Sequence, residues 1–461
     1  MCGILISLGS VPINSISHRG TEVKTVVANG VNLTHHRLPI QTIDGDDWSM
    51  PYEYLPGKYL LFNGEIFNYD LDKYSSDTEY LVEFFRSVNV IDMEILSEYK
   101  SEMSKWDGFW SIVLYDSDSK TIIAFNDPLG KKQLYVNTLG EICSEQNPIV
   151  LPDDSFDNTY LGTIHKFGYN HDERTPWKSV KRLRPDYWYS YSLNKPDVVL
   201  TMSNIKLEPD SNLCVRTALI ESTKRRLLSK NYPISVLLSG GLDSTILTYI
   251  LESAGANVSY YTIDNGEDEY VRLCEAFWNI KVTRLTYDLD ESSLKPIYCN
   301  WNESPIDLGS VVPQYHLFEA VAKTGNRIVI SGDGADELFG GYRRISEYDS
   351  QGSDVFHELT YYHLPRLDKM SMAHTIELRS PFLGHDVIRA ALALPLCSRT
   401  HKQILKDAFA DDIPREILDR SKAPLKNASI KVDPLKYRKK ILNLYKESAK
   451  DFLYLHSKKI K

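Results

Sequence analysis

Residues 235–244, SVLLSGGLDS, constrain this chain more than any other stretch. The apolar run Val236-Leu237-Leu238 stops at Ser239-Gly240-Gly241, the polar pair Asp243-Ser244 follows, and residues 245–251 (TILTYIL) read as a helix. Strand, glycine turn and helix N-terminus in that order build an anion cradle. Adjacent glycines let the main chain approach a ligand with no Cβ in the way, and the N–H groups of the turn and first helical turn face negative charge. The loop is not a Walker A motif, since no Gly-x-x-x-x-Gly-Lys-Ser/Thr occurs. Its rival, taken alone, is an ordinary glycine-containing strand-to-helix turn, the less favoured of the two.

What surrounds the loop narrows the choice. Residues 258–263 and 281–287 read as strands, with a helix over 269–279 between them; a helix over 313–324 precedes the strand 327–330. Strands separated by helices indicate a parallel α/β sheet, whose ligands collect at the carboxyl ends of the strands. A second loop, residues 331–337 (SGDGADE), leaves a strand at that edge. An acidic loop beside a phosphate cradle calls for a bridging cation, and Asp243 with Asp336 form a pair of Mg²⁺ ligands of the sort that share the ion with phosphate oxygens. The rival for this loop is a glycine turn capped by an aspartate.

The opposite end of the chain carries different chemistry. Cys2 stands next to the initiator; with Met1 removed it has a thiol and a free α-amine that can serve as the thiol's own base. The alternative is a small buried hydrophobe opening a strand. Arg37 in HHRLPI can clamp a carboxylate bidentately. Asn63 and Gly64 in NGEIFN offer a side-chain amide and an unobstructed N–H, the two donors of an oxyanion hole. Asp77, at the start of a helix over 80–85, can hold an ammonium or simply cap the helix.

Bulk properties fit a soluble, multi-domain protein of 461 residues. A net charge of −9 argues against bulk nucleic-acid binding. The six cysteines are scattered without a Cys-x-x-Cys pair, so neither a zinc site nor a disulfide framework is expected. No signal peptide or membrane span is read, and a cytoplasmic location is expected. The basic stretch 434–461 reads as an amphipathic surface helix.

The N-terminal segments, together with WDGFWSIVLYD (106–116) and NDPLGKKQLY (126–135), resemble the class II glutamine amidotransferase domain. The loop 239–244 resembles the pyrophosphate (PP) loop of ATP pyrophosphatases, and SGDGADELFGGY (331–342) with LDKMSMAHTIELRSPFL (367–383) resembles the glutamine-hydrolysing asparagine synthetase family. The resemblance implies an α+β N-terminal-nucleophile (Ntn) hydrolase domain, an αββα sandwich, over residues 2–205 with its linker. An α/β parallel-sheet PP-loop ATP pyrophosphatase domain then follows over 206–461. It implies Cys2 as nucleophile, Asn63 and Gly64 as oxyanion donors, and a glutamine site of Arg37, Leu38, Ile40, Asn63, Gly64, Glu65 and Asp77. ATP would bind Leu237, Ser239, Gly240, Gly241, Asp243, Ser244, Ile263, Ser331 and Gly332, with Mg²⁺ on Asp243 and Asp336. Lys422 matches the family's lysine near the α-phosphate, its rival being a surface lysine. Asp333, Glu377 and Arg379 are candidates to orient the acceptor, a buried ion pair being the rival for the last two.

The implied reaction is amidation of aspartate through β-aspartyl-AMP, with ammonia passed through an apolar domain interface. The implied partners are glutamine, aspartate and ATP, with neither nucleic acid nor membrane; a homodimer is compatible. Amidation of another carboxylate, in a peptide or secondary metabolite, stays open. An inactive scaffold is a further alternative, opposed by the intact Cys2, Asp243 and Asp336. β-Lactam synthetases, which lack the cysteine, fit less well. The family's His-Arg-Gly-Pro-Asp is His18-Arg19-Gly20-Thr21-Glu22 here, and the spacers to Arg37 and Asp77 are short, so loops that order on glutamine binding are expected to be trimmed.

Overall fold

The period-2 burial of the N-terminal strands explains their stacking. In the computed structural model, Ile4 and Ile6 of the strand Gly3–Ser7 face one core while Leu5 faces another. Leu61, Val113 and Tyr115 meet Ile4 and Ile6 from a second sheet. Leu60, Phe62, Trp110, Ile112 and Leu114, on the reverse of that sheet, pack with Leu81, Val82 and Phe85 of the helix Asp77–Val88. The structure describes residues 2–9, 11–41, 48–88, 92–264, 268–286, 308–342 and 353–420.

The two sheets have six strands each. The first runs Val180–Arg182, Tyr135–Asn137, Ile142–Cys143, Gly3–Ser7, Val31–Arg37, Glu22–Ala28. The second runs Lys195–Ser203, Tyr187–Ser192, Thr121–Asn126, Gly108–Asp116, Lys58–Ile66, Tyr52–Leu55. Asp77–Val88 covers the outer face of the second sheet. The outer face of the first is reached by the helix Asn158–Phe167 through Phe156, which meets Trp177 edge-on at 6.0 Å. This is the αββα sandwich. The helix lies within residues 144–210, a stretch rich in Pro, Asp and Asn whose composition points to rim strands and a linker. Its signals are short-range: the Asp157 carboxylate caps the Thr159 N–H, and Gly168 closes the helix in a left-handed conformation.

After the helix Val215–Arg225 comes a five-stranded parallel sheet, ordered Val282–Leu285, Val258–Ile263, Ile234–Leu237, Ile328–Ile330, Glu377–Arg379. The chain moves outward on one side of Ile234–Leu237 and then returns to its other side. That reversal leaves a crevice at the carboxyl ends of Ile234–Leu237 and Ile328–Ile330, and both glycine loops open there. The helix from the first loop is Leu242–Ser253. The expected helix over 313–324 begins earlier, as Leu308–Lys323, and carries Pro313 inside it.

The seam between the two halves is apolar in part, as expected: Leu38, Ile40 and Leu129 join the core of the second half, and Phe67, Phe109 and Met372 form a further small cluster. Buried charges, which the expectation did not include, stand beside these contacts. Asp107 binds Arg226 at 3.0 Å and accepts the His385 N–H at 3.2 Å. Asp368 binds Arg19 at 2.8 Å and Lys132 at 2.6 Å. Lys131 Nζ donates to the Leu383 and Gly108 carbonyls, each at 2.8 Å. The Asp107 and Asp368 carboxylates are matched by cations across the seam, the condition under which charges tolerate burial, whereas Lys131 has only carbonyl partners and burial lowers its pKa to about 8. No described helix is long and apolar enough to cross a membrane.

Candidate functional site

The first site forms where Gly3–Ser7 and Lys58–Ile66 begin and end. Cys2, Arg37, Leu38, Ile40, Gly64, Glu65 and Asp77 line one pocket, with Gln41 also on its wall. The Cys2 main-chain nitrogen donates to Asn63 Oδ1 at 3.0 Å. That contact fixes the Asn63 amide, which is fully buried, and leaves its Nδ2 with no partner among the described residues. Gly64 has φ +156°, and a Cβ there would overlap the Phe109 carbonyl oxygen. An oriented amide donor and a bare backbone N–H beside a thiol can stabilise a tetrahedral oxyanion. Gly64→Ala is therefore expected to reduce glutamine hydrolysis by at least about 100-fold, read as glutamate release; activity within twofold of the parent would contradict the placement.

Charge around the pocket is set for a zwitterion. Arg37 Nη2 is buried without a partner among the described residues, and Nη1 lies 3.5 Å from Glu22. Asp77 accepts the Ile66 N–H at 3.0 Å at the start of its helix. Burial, reinforced by the nearby Glu377, pushes Asp77 up to about 7 despite that hydrogen bond. Glu65 is also raised, by burial first and then by Glu377 and Asp77. It accepts from the Gln41 amide, whose oxygen in turn accepts from Tyr69 OH at 2.8 Å. Two carboxylates whose ionised forms are disfavoured are ready for an added cation such as a substrate ammonium.

The second site is a cleft of about 850 Å³ lined by Leu237, Ser239, Gly241, Asp243, Ser244, Ile263, Ser331, Gly332, Asp333 and Asp336. Gly240 stands just behind it. Its φ of +69° and the contact a Cβ would make with the Tyr270 side chain, 2.7 Å away, demand glycine. The Gly240 carbonyl accepts from Arg420 Nη1 at 2.8 Å, and Arg420 stacks 4.0 Å over the Tyr270 ring. The helix Leu242–Ser253 opens directly after Gly241, so its N-terminal N–H groups border the cleft.

Asp243 and Asp336 converge on one cation, the Lys402 ammonium, 2.5 Å from each. Burial alone would lower the lysine's pKa, but the two carboxylates outweigh it and raise it. Two carboxylate oxygens from separate loops suit a small hard cation whose other ligands are phosphate and water oxygens. Among the described residues no cluster of three or more His, Cys, Asp or Glu could hold a metal by itself. Lys402 and Arg420 escaped the sequence reading: the lysine contacts Asp243 across 159 residues from a left-handed backbone, φ +56°.

Of the acceptor candidates, only Asp333 lines the cleft. It accepts from Ser331 Oγ at 2.5 Å, and burial raises its pKa. Glu377 and Arg379 are fully buried against each other at 2.6 Å, and Arg379 Nη1 also donates to the Arg226 and Leu228 carbonyls. They belong to the seam beneath the first pocket, as the buried-pair alternative has it. Lys422 and the basic stretch 434–461 lie outside the described residues.

Comparison with known proteins matches both halves. The chain fits a glutamine amidotransferase domain family over residues 8–198 and an asparagine synthase family over 214–360 and 349–460. It is 24% identical to a probable glutamine-hydrolyzing asparagine synthetase of Schizosaccharomyces pombe, covering 88% of this chain and 79% of that one. It is 25% identical to an asparagine synthetase of Arabidopsis thaliana, covering 92% and 77%. Among solved structures, glutamine phosphoribosylpyrophosphate amidotransferase of B. subtilis aligns over 79% of this chain and 96% of that one, at 11% identity and a TM-score of 0.28. With its parallel-sheet half inside the synthase family from end to end, the chain belongs to the asparagine synthase family.

Proposed function

We propose that the protein is a glutamine-dependent asparagine synthetase, in which ammonia released at Cys2 amidates aspartate activated by ATP. The observation that carries this reading is the convergence of Asp243 and Asp336 on one cation at the mouth of a glycine loop, in a chain that also places Cys2 beside the oriented Asn63 amide.

In the first half, Cys2 attacks the glutamine side-chain amide once Met1 is removed, its α-amine taking the thiol proton; the tetrahedral oxyanion collapses with cleavage of the C–N bond, ammonia leaving with that proton, and water then hydrolyses the γ-glutamyl thioester to glutamate and free Cys2. Asn63 Nδ2 and the Gly64 N–H hold the oxyanion. Arg37 binds the glutamine carboxylate, and Asp77 with Glu65 binds its ammonium. In the second half, the glycine loop and helix N-terminus receive the ATP phosphates. Mg²⁺, held by Asp243 and Asp336, would neutralise phosphate charge. Lys402 then exchanges its carboxylate partners for phosphate oxygens, and Lys422 is the further cation assigned near the α-phosphate. The aspartate β-carboxylate attacks the α-phosphorus and expels pyrophosphate; ammonia attacks the resulting acyl carbon and expels AMP. Neither half calls for a membrane or nucleic-acid partner, and a cytoplasmic location suits the pathway.

Aspartate labelled with ¹⁸O in its β-carboxylate tests the activation step. One labelled oxygen is expected in the AMP phosphate for each asparagine formed. AMP without label would overturn the acyl-adenylate route.

A further inference from the structure

The cleft has a second wall, supplied by neither phosphate loop alone: Glu337, Tyr342, Glu358, Tyr362, His363 and Arg366. Tyr362 and His363 stand on the π-helical turn Leu359–His363, set between the helices Ser353–Glu358 and Leu364–Met372. Such turns are uncommon and concentrate at functional sites. The amidotransferase half pins this one: Arg182 donates to the Thr360 carbonyl at 2.7 Å and lies 4.9 Å over the Tyr361 ring.

The contacts of His363 define the chemistry of the wall. Arg366 Nη2 is 3.2 Å from His363 Nδ1. A guanidinium can only donate, so Nδ1 is the accepting atom of this contact. Nε2 is 3.6 Å from Glu337 Oε1 and 3.5 Å from Glu358 Oε1, longer than the roughly 2.7–3.2 Å of a formed N–H···O bond. The Glu337 side chain is 5% exposed and accepts from Tyr342 OH at 2.6 Å. Among the described residues no lysine or arginine makes an ion pair with it. A buried carboxylate with no full positive charge beside it is costly unless a ligand brings one. Arg366, itself buried, puts a positive charge on the other side of the same imidazole. An α-amino acid carries an ammonium and a carboxylate on one carbon, which matches a negative and a positive group flanking one ring.

We propose that this wall is the acceptor subsite and that it selects a free α-amino acid, Glu337 taking the α-ammonium and Arg366 the α-carboxylate. The side-chain carboxylate is thereby left facing ATP. The assignment rests on the AMP-forming reading above. It makes Glu337 and Arg366, rather than Glu377 and Arg379, the residues that discriminate between acceptors.

The test is pyrophosphate release by the full-length enzyme with ATP, Mg²⁺ and ammonia, comparing L-aspartate with succinate and N-acetyl-L-aspartate, which lack the ammonium. Aspartate is expected to be preferred by on the order of 100-fold or more in kcat/KM. Glu337→Gln should collapse that preference through KM for aspartate while KM for ATP stays within about twofold. Tyr342→Phe, which removes only the hydroxyl that holds Glu337, should reduce the preference in part. Equal use of succinate or N-acetyl-aspartate by the parent enzyme would overturn the subsite while leaving the AMP-forming chemistry standing. A Glu337→Gln enzyme that keeps the full preference would overturn it too. Pyrophosphate release with no acceptor at all would defeat the underlying reading and this one with it.

Discussion

Cys2→Ala is expected to lower glutamine-dependent asparagine formation by on the order of 10⁴-fold or more while ammonia-dependent formation continues. The effect is large because the thiol is the nucleophile placed beside the Asn63 amide and the Gly64 N–H; without it those donors have no tetrahedral intermediate to hold. The effect is selective because Cys2 lines a pocket that shares no residue with the cleft around Asp243 and Asp336. Parallel assays with glutamine and with ammonium chloride check it. Loss of both activities would contradict a two-site scheme.

Asp368→Asn should have the largest effect on stability. The asparagine keeps the shape but leaves Lys132 without its carboxylate and Arg19 with only Glu145, all three residues being buried. Breaking a buried pair by neutralising one partner costs about 3–5 kcal/mol, measurable as a shift of the denaturant midpoint at unchanged slope. Since Asp368 ties the two halves together, the variant should also release more glutamate per asparagine formed.

The same residue gives a pH dependence with a defined sign. Burial favours protonation of Asp368, but Arg19 and Lys132 win and hold its pKa at about 2. The folded value lies below the unfolded value of about 3.9. Its contribution is therefore complete above pH ~4 and falls away between about pH 4 and pH 2. In the parent, the seam should loosen across that window, followed as loss of far-UV and near-UV signal. Asp368→Asn should lack that component of the transition.

What the sequence disclosed followed from local chemistry. An apolar run cut off by Ser239-Gly240-Gly241 marks a strand ending in a cradle wherever the chain goes next, and the structure places that turn at the sheet's crevice. Asn63-Gly64 was legible for the same reason: a glycine next to an amide donor has a short list of uses. The hidden part was held by distance along the chain. Arg19 meets Asp368 across 349 residues, and Lys402 meets Asp243 across 159. Nothing in the neighbourhood of either cation marks it as buried. Glu377 and Arg379 carried two readings in the sequence, acceptor binding or a buried pair. Two opposite charges two residues apart on a strand share one face and here meet at 2.6 Å, while Arg379 Nη2 stays buried with no hydrogen-bond partner among the described residues. The apolar seam, inferred from the need to shield ammonia, is present in two places, Leu38, Ile40 and Leu129 against the core of the second half and the cluster of Phe67, Phe109 and Met372, with buried ion pairs beside them.

Product stoichiometry tests the central claim most directly. Purified protein incubated with ATP, Mg²⁺, glutamine and aspartate should form AMP, pyrophosphate and asparagine in equal amounts, with glutamate released at least one for one. Formation of ADP and phosphate, or no ATP cleavage with aspartate present, would contradict the account.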